Sequence, residues 1–245
     1  MSGVGILFIL LLVSSIPAIA VFIWFRFARY PFSPVRFLVS LLAGAASLFP
    51  ALFLQNMFPA GSGILYVSGK WGIFVEIFVR IAFTEELSRF LILIILFCVF
   101  RRFSRPAVQP EQSMNGQQDP LTDVNISALT MAGATGLVAG LGFAIFESAI
   151  YGAANPGNVL LRAFTAAPLH GACGFRVGSS IEMVKKNPVQ GISRFLSAAL
   201  IHGVYNFMII IPGSLTSVAA VLIALSGLAT AILGIRTGMG EQSTV

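Results

Sequence analysis

Two adjacent glutamates, Glu85 and Glu86, lie inside a long apolar stretch of this sequence, and Arg89 follows one helical turn later. Ionised side chains at the middle of a membrane helix cost roughly 2.5–3.5 kcal/mol each, or about 9 kcal/mol for three. The apolar residues between positions 76 and 96 offset only about 6 kcal/mol of this cost. The segment therefore needs polar partners or a water-filled cavity, and we predict that the pair marks a functional site.

Further polar residues lie in the other apolar stretches, among them Glu147, His170, His202 and Asn206. Arg89 can pair with either glutamate on one helix, but that ion pair alone would leave one carboxylate over. His202 and Asn206 are four residues apart and share a helix face, so they point into the same space. We therefore predict one compact polar centre built from several helices.

These residue types predict peptide hydrolysis. A carboxylate in an apolar cavity binds protons more readily than one in water, so Glu85 suits a general base that deprotonates water. His202 and Asn206 can donate hydrogen bonds to the oxyanion that forms when water attacks a peptide carbonyl. No cofactor is established, but zinc is an alternative, because Glu147, His170 and His202 could bind it and leave one position open. The His-Glu-x-x-His signature of helical zinc peptidases is absent.

The composition indicates which elements position these residues. Hydrophobic residues make up 57% of the 245 positions and charged residues 10%, which indicates that lipid is the solvent for much of the surface. We predict an all-α fold, a polytopic transmembrane helix bundle in one integral membrane domain over residues 1–245. About seven spans are expected, near 4–25, 36–58, 73–100, 128–150, 159–182, 194–211 and 215–235.

One stretch, 104–125, is rich in Gln, Pro, Ser and Asn, and we predict a mobile cytoplasmic loop there. Asp123 or Asn125 would then cap the fourth span. Most basic residues flank alternate connections, which places the N-terminus outside and the C-terminus in the cytoplasm. The net charge of +6 therefore reflects membrane orientation and does not indicate nucleic-acid binding. The basic residues on the predicted cytoplasmic side are Arg26, Arg29, Arg36, Arg101, Arg102, Arg105, Lys185, Lys186, Arg194 and Arg236.

Counting residues from the basic positions estimates the depth of each polar group. Glu85 and His170 come out at roughly 22–24 Å from the cytoplasmic interface at 1.5 Å per residue. His202 and Asn206, counted from Arg194, come out at about 12 and 18 Å. Glu147 lies near the outer end of its span, so we predict that the site opens in the outer half of the bilayer.

Four short motifs, on separate predicted spans, resemble those of PrsW-type intramembrane proteases. That family is related to type II CAAX prenyl endopeptidases and abortive-infection bacteriocin-processing proteins, and distantly to the seven-span scaffold subunit of gamma-secretase. The resemblance covers roughly residues 75–210, with a peptidase-like core over 73–211. The motifs are Glu85-Glu86-Leu-Ser-Arg89, Phe143-Ala-Ile-Phe-Glu147, Pro168-Leu-His170 and His202-Gly-Val-Tyr-Asn206.

The resemblance implies a multi-pass intramembrane endopeptidase of the cell membrane. Its substrate would be a single-pass or peripheral membrane protein, an anti-sigma factor being one candidate. It implies Glu85 as the base, Glu86 and Arg89 as its support, and Glu147 with His170 as partners in the same cavity. It leaves His202 and Asn206 as oxyanion donors.

The sequence departs from the family pattern at two positions. PrsW proteins usually have lysine in place of Arg89 and aspartate in place of Asn206, which leaves the substrate open. Two other functions also stay open: a non-catalytic scaffold subunit of a membrane protease complex, and a proton-coupled transporter that uses the buried carboxylates as a relay. The broken helices or inverted halves typical of such transporters are not evident in the sequence.

Overall fold

A computed structural model of the chain describes residues 3–57, 69–103 and 120–242, and every regular element in these ranges is a helix. The helices that precede the paired glutamates are α1 (Gly3–Phe27), α2 (Pro34–Ala46), α3 (Leu48–Met57), α4 (Gly69–Val75) and a π-helix (Glu76–Phe83). The helices that follow are α5 (Thr84–Phe103), α6 (Pro120–Ala154), α7 (Gly157–Phe164), α8 (Ala166–Lys186), α9 (Pro188–Ile210) and α10 (Ser214–Gln242).

Five helical segments are long and apolar enough to cross a membrane. The other two predicted spans, 73–100 and 159–182, are also helical, but they contain more ionisable side chains. The predicted fold class, an all-α polytopic helix bundle, is confirmed, while the number of crossings and their orientation stay predictions. The five segments are Val4–Phe27, Pro34–Met57, Ala128–Ala154, Pro188–Ile210 and Ser214–Gly238.

The fifth predicted span is not one continuous helix, because the chain breaks between α7 and α8. Thr165 has φ −124° and ψ −62°, outside the helical values. Pro168 explains the break, since it has no amide hydrogen and its ring would clash with the carbonyl of Phe164 in a continuous helix. At the start of α8, the amide nitrogen of Leu169 donates a hydrogen bond to the carbonyl oxygen of Thr165 at 3.2 Å.

The predicted loop over 104–125 is partly wrong. Residues 104–119 lie outside the described chain, but α6 already begins at Pro120. Proline is well suited to the first turn of a helix, where its missing amide hydrogen leaves no bond unmade. Asp123 and Asn125 therefore lie within α6 and do not cap it.

The centre of the bundle is the contact between α6 and α8, whose backbones almost touch. A methyl group added at Gly136 would lie 2.0 Å from the carbonyl oxygen of Gly174, and one at Gly140 would lie 1.9 Å from that of His170. Only small residues allow such an approach between helices. This approach fixes the backbone of His170 against α6, the helix that contains Glu147.

Candidate functional site

The paired glutamates open α5, directly after the π-helix. The exposed fractions of Glu85, Glu86 and Arg89 are 5%, 0% and 0%, so all three are buried. The Thr84 hydroxyl donates to the carbonyl oxygens of Arg80 at 2.6 Å and Ile81 at 3.0 Å, where the π-helix ends. Short π-helical segments inside α-helices are rare and occur frequently at functional sites.

Both carboxylate oxygens of Glu86 have partners. Arg89 Nη1 donates to Glu86 Oε2, and His202 Nδ1 lies 2.8 Å from Glu86 Oε1. The guanidinium carbon of Arg89 also lies 4.8 Å from the centre of the Phe143 ring, a cation–π distance. Glu86 is therefore a fixed, charge-paired group that orients His202, as outer carboxylates commonly orient functional histidines.

Glu85 has one engaged oxygen and one open oxygen. Gln55 Nε2 donates to Glu85 Oε1 at 3.2 Å, whereas the buried Oε2 has no hydrogen-bond partner among the described residues. His202 Nε2 lies 3.7 Å from that Oε2. When His202 Nδ1 donates its proton to Glu86, Nε2 carries a lone pair, so two acceptors face each other. Such a pair fits a water molecule, a proton or a metal ion between them.

His170 connects this group to a second ion pair. Its Nδ1 lies 3.3 Å from Arg89 Nη2, and its Nε2 lies 2.9 Å from Glu147 Oε2. The same Glu147 oxygen accepts a hydrogen bond from Arg162 Nη2 at 2.6 Å. Because arginine only donates, His170 Nδ1 accepts, and Nε2 is left to donate to Glu147.

Six of the seven predicted site residues form one connected group, and the seventh does not. Asn206 is half-buried and makes no hydrogen bond to the group within the described part of the chain. It lies one turn beyond His202 on α9, about 6 Å farther along the axis. The predicted oxyanion role of Asn206 stays a prediction. The connected residues are Glu85, Glu86, Arg89, Glu147, His170 and His202.

The depth estimated for His202 was wrong, since the structure places its ring beside Glu85 and Glu86. The count started from Arg194, which lies six residues inside α9 and not at its end. Counted from Pro188, the first residue of α9, His202 lies about 21 Å along the helix. That value agrees with the depth estimated for Glu85 and His170.

Two residues of the site were not predicted, Gln55 and Arg162. A glutamine in an otherwise apolar span indicates a polar partner, so the involvement of Gln55 could have been predicted from the sequence. Arg162 lies in α7, at the start of the fifth predicted span. Its pairing with Glu147, and its contacts with Ser148 Oγ at 3.3 Å and the Tyr151 ring at 4.4 Å, depend on the turn before α7.

Gln55→Leu is expected to lower the activity of this site without unfolding the protein. Leucine has nearly the same size but cannot donate to Glu85, and a hydrogen bond to a charged group is worth about 1.5–3 kcal/mol, or roughly tenfold or more in rate. The measurement is kcat/KM for peptide cleavage in liposomes. Gln190→Leu, at an exposed position of α9, is the control. Equal rates for the two variants would exclude a functional role for Gln55.

A metal ion could be held by Glu85, His170 and His202, whose nearest ligand atoms all lie within 4.8 Å of one another. This set differs from the alternative raised from the sequence, Glu147, His170 and His202, because Glu147 is paired with Arg162. Zinc binds such oxygen and nitrogen atoms at about 2.0–2.2 Å, so the ligands of one ion lie at most about 4.4 Å apart and these side chains would move slightly closer on binding. The open Oε2 of Glu85 supports the fit. His170 would give up its 3.3 Å contact with Arg89 or turn from Glu147.

Comparison with known proteins identifies one protein family whose sequence model matches the chain. The sequence model described as PrsW family intramembrane metalloprotease matches residues 33–232, a range that contains every residue of the connected group. No curated protein and no solved structure matches the chain. The match covers most of the 245 residues.

Proposed function

This chain belongs to the PrsW family of intramembrane metalloproteases, and we propose that it hydrolyses peptide bonds of membrane-associated proteins at Glu85 and His202. The observation that carries the proposal is the buried Glu85 Oε2, which has no partner among the described residues and faces His202 Nε2 at 3.7 Å. A water molecule between these two acceptors would donate a hydrogen bond to each. It would therefore be oriented and polarised for attack.

The proposed reaction uses one water molecule. Its oxygen attacks the peptide carbonyl carbon, and Glu85 is placed to accept the proton that the water loses. The carbon–nitrogen bond then breaks, and the same proton is delivered to the leaving amine, which gives a carboxylic acid and an amine as products. Glu86 holds the Nδ1 side of His202, so that Nε2 keeps its lone pair directed at the water.

A metal ion at this site would be held by Glu85, His170 and His202, and zinc is the ion whose ligand preferences fit two imidazoles and a carboxylate. When bound, such an ion supplies a Lewis acid that favours deprotonation of water and polarises the carbonyl. A weaker base than a free carboxylate would then be sufficient to take the proton from water. The Glu86–His202 and Glu147–His170 pairs would orient both imidazole rings.

The substrate that we propose is a single-pass or peripheral membrane protein of the cell membrane, with an anti-sigma factor as one candidate. The purified chain in liposomes should cleave a single-pass reporter, with the two fragments identified by mass spectrometry. Stoichiometric recovery with other membrane subunits, together with no cleavage, would favour the scaffold alternative. Proton flux across the liposome membrane without cleavage would favour a transporter.

Metal removal is expected to abolish most of this activity. Dialysis against a strong chelator should lower reporter cleavage by about 10²-fold or more, because the water loses a Lewis acid that favours its deprotonation, and zinc should restore it. Chelator saturated with zinc is the control, and metal analysis should find about one zinc ion per chain. Full activity in metal-free protein would reject the metal and leave Glu85 as a free base. No cleavage under any condition would reject the peptidase itself.

A further inference from the structure

Two arginines of the bundle face the same internal cavity. Arg176 of α8 and Arg194 of α9 line a cavity of about 300 Å³ that also has walls from α6 and α10. Both side chains are half-buried, and the positive charge of Arg176 acts on Arg194. Arg176 lies six residues after His170, about 9 Å along α8, so this cavity is separate from the peptidase site.

Neither guanidinium has an acidic partner within the described ranges. Arg176 donates a long hydrogen bond of 3.5 Å to Thr230 Oγ1, and neither arginine forms a salt bridge with a residue that the structure describes. Unpaired arginines within membrane helices are costly and commonly mark sites for ions or substrates. Two like charges that share one cavity raise this cost, and an anion between them would remove it.

The remaining walls of the cavity consist of hydroxyl groups, small residues and apolar side chains, without a carboxylate among the described lining residues. Hydroxyl groups from Thr130, Thr230 and Thr237 line it. The wall from α10 also contains two glycines, and a methyl group at Gly238 would lie 2.3 Å from Thr130 Oγ1. The two glycines therefore let the Thr130 side chain and the Phe175 ring pack directly against α10. The hydroxyl groups of Thr230 and Thr237 donate to backbone carbonyl oxygens of α10, so the two guanidinium groups are the donors that would bind a phosphate.

We propose that Arg176 and Arg194 bind the phosphate group of an anionic ligand in the cavity between α6, α8, α9 and α10. The cavity lies toward the helix ends, with Arg194 about 9 Å from the start of α9. Basic pockets between membrane helices near one interface bind anionic lipid headgroups. The same chemistry is available from free phosphate, so the test must separate these two sources.

The test is a binding titration of the intact protein in neutral detergent, read by native mass spectrometry and by the melting temperature. Phosphatidylglycerol should bind at least about tenfold more tightly than phosphatidylcholine, and should raise the melting temperature. Arg176→Gln with Arg194→Gln should remove this preference. Arg236→Gln, an exposed arginine of α10 outside the cavity, should keep it.

Inorganic phosphate is the second ligand in the titration. Stabilisation of the wild type by phosphatidylglycerol alone supports the site and assigns it to a lipid headgroup. Stabilisation by millimolar phosphate as well, lost in the double variant, supports the site and assigns it to a soluble anion. If the wild type binds both lipids with equal affinity and phosphate has no effect, these wild-type measurements alone would overturn the proposal. An equal loss in Arg236→Gln would overturn it too, because net charge alone would then explain the preference.

Discussion

Glu85→Gln is expected to lower kcat/KM for reporter cleavage by about 10²–10⁴-fold, the usual contribution of a general base, and by more if Glu85 also holds a metal ion. Glutamine has the same shape, and its amide oxygen can still accept the hydrogen bond from Gln55. It cannot accept a proton from water at neutral pH, and an amide nitrogen would donate toward His202. The protein should remain folded, because the change removes a buried charge and leaves the packing unchanged.

Glu76→Gln is the matched control for this substitution. Glu76 lies on the same stretch of chain and forms a partly exposed salt bridge with Arg80 at 3.2 Å, so the same chemical change is made outside the connected group. Its activity should stay within about twofold of the wild type, since exposed ion pairs contribute little. Wild-type turnover in Glu85→Gln would show that the reacting water lies elsewhere. Equal losses in both variants would point to a general effect of charge.

The helices were predictable because lipid imposes one rule on every span. Each segment must satisfy its own backbone hydrogen bonds, so a long apolar run is a helix wherever it occurs. Helix ends and breaks were less predictable, as at Thr165, because a proline in the first turn starts a helix, whereas one further inside either breaks it or is accommodated, as Pro17 is in α1. Pro168 lies at a position where either outcome was open.

The membership of the site was predictable for an energetic reason. Ionisable side chains such as Glu85 and Glu147 cannot face lipid, so they must face each other or water, whichever helices they belong to. Which groups pair was not predictable. Arg162 reaches Glu147 only because α7 folds back beside α6, and a sequence does not specify that turn. For this reason Glu147 was included in the zinc alternative, although it is paired with Arg162.

The structure separates two glutamates that the sequence could not distinguish. Glu86 has both oxygens bound, to Arg89 and to His202, whereas Glu85 has an open oxygen. A carboxylate whose two oxygens are both held by cationic or hydrogen-bonding partners is less basic and is poorly placed to take a proton from water. This difference favours Glu85 as the group that acts on water. Glu86 and Arg89 would then stabilise the site and orient His202.

Arg89→Met tests that division and is expected to give the largest loss of stability. Arg89 is wholly buried and pairs with the wholly buried Glu86, so its removal leaves a carboxylate without its cation. Breaking a buried ion pair at one end costs about 3–5 kcal/mol. Arg101→Met is the control, because Arg101 pairs with Glu182 at 2.5 Å but is 55% exposed. Its cost should stay below about 1 kcal/mol.

The free energy of unfolding in lipid bicelles gives the comparison, and a second substitution identifies the cause. Glu86→Gln removes the uncompensated charge, so the double variant Glu86→Gln with Arg89→Met should regain at least half of the stability that Arg89→Met loses. Methionine also fills the space over the Phe143 ring, so little of the loss should come from a cavity. A double variant as unstable as Arg89→Met alone would mean that packing or the His170 contact stabilises this helix. Glu86 would then not depend on Arg89 for its charge.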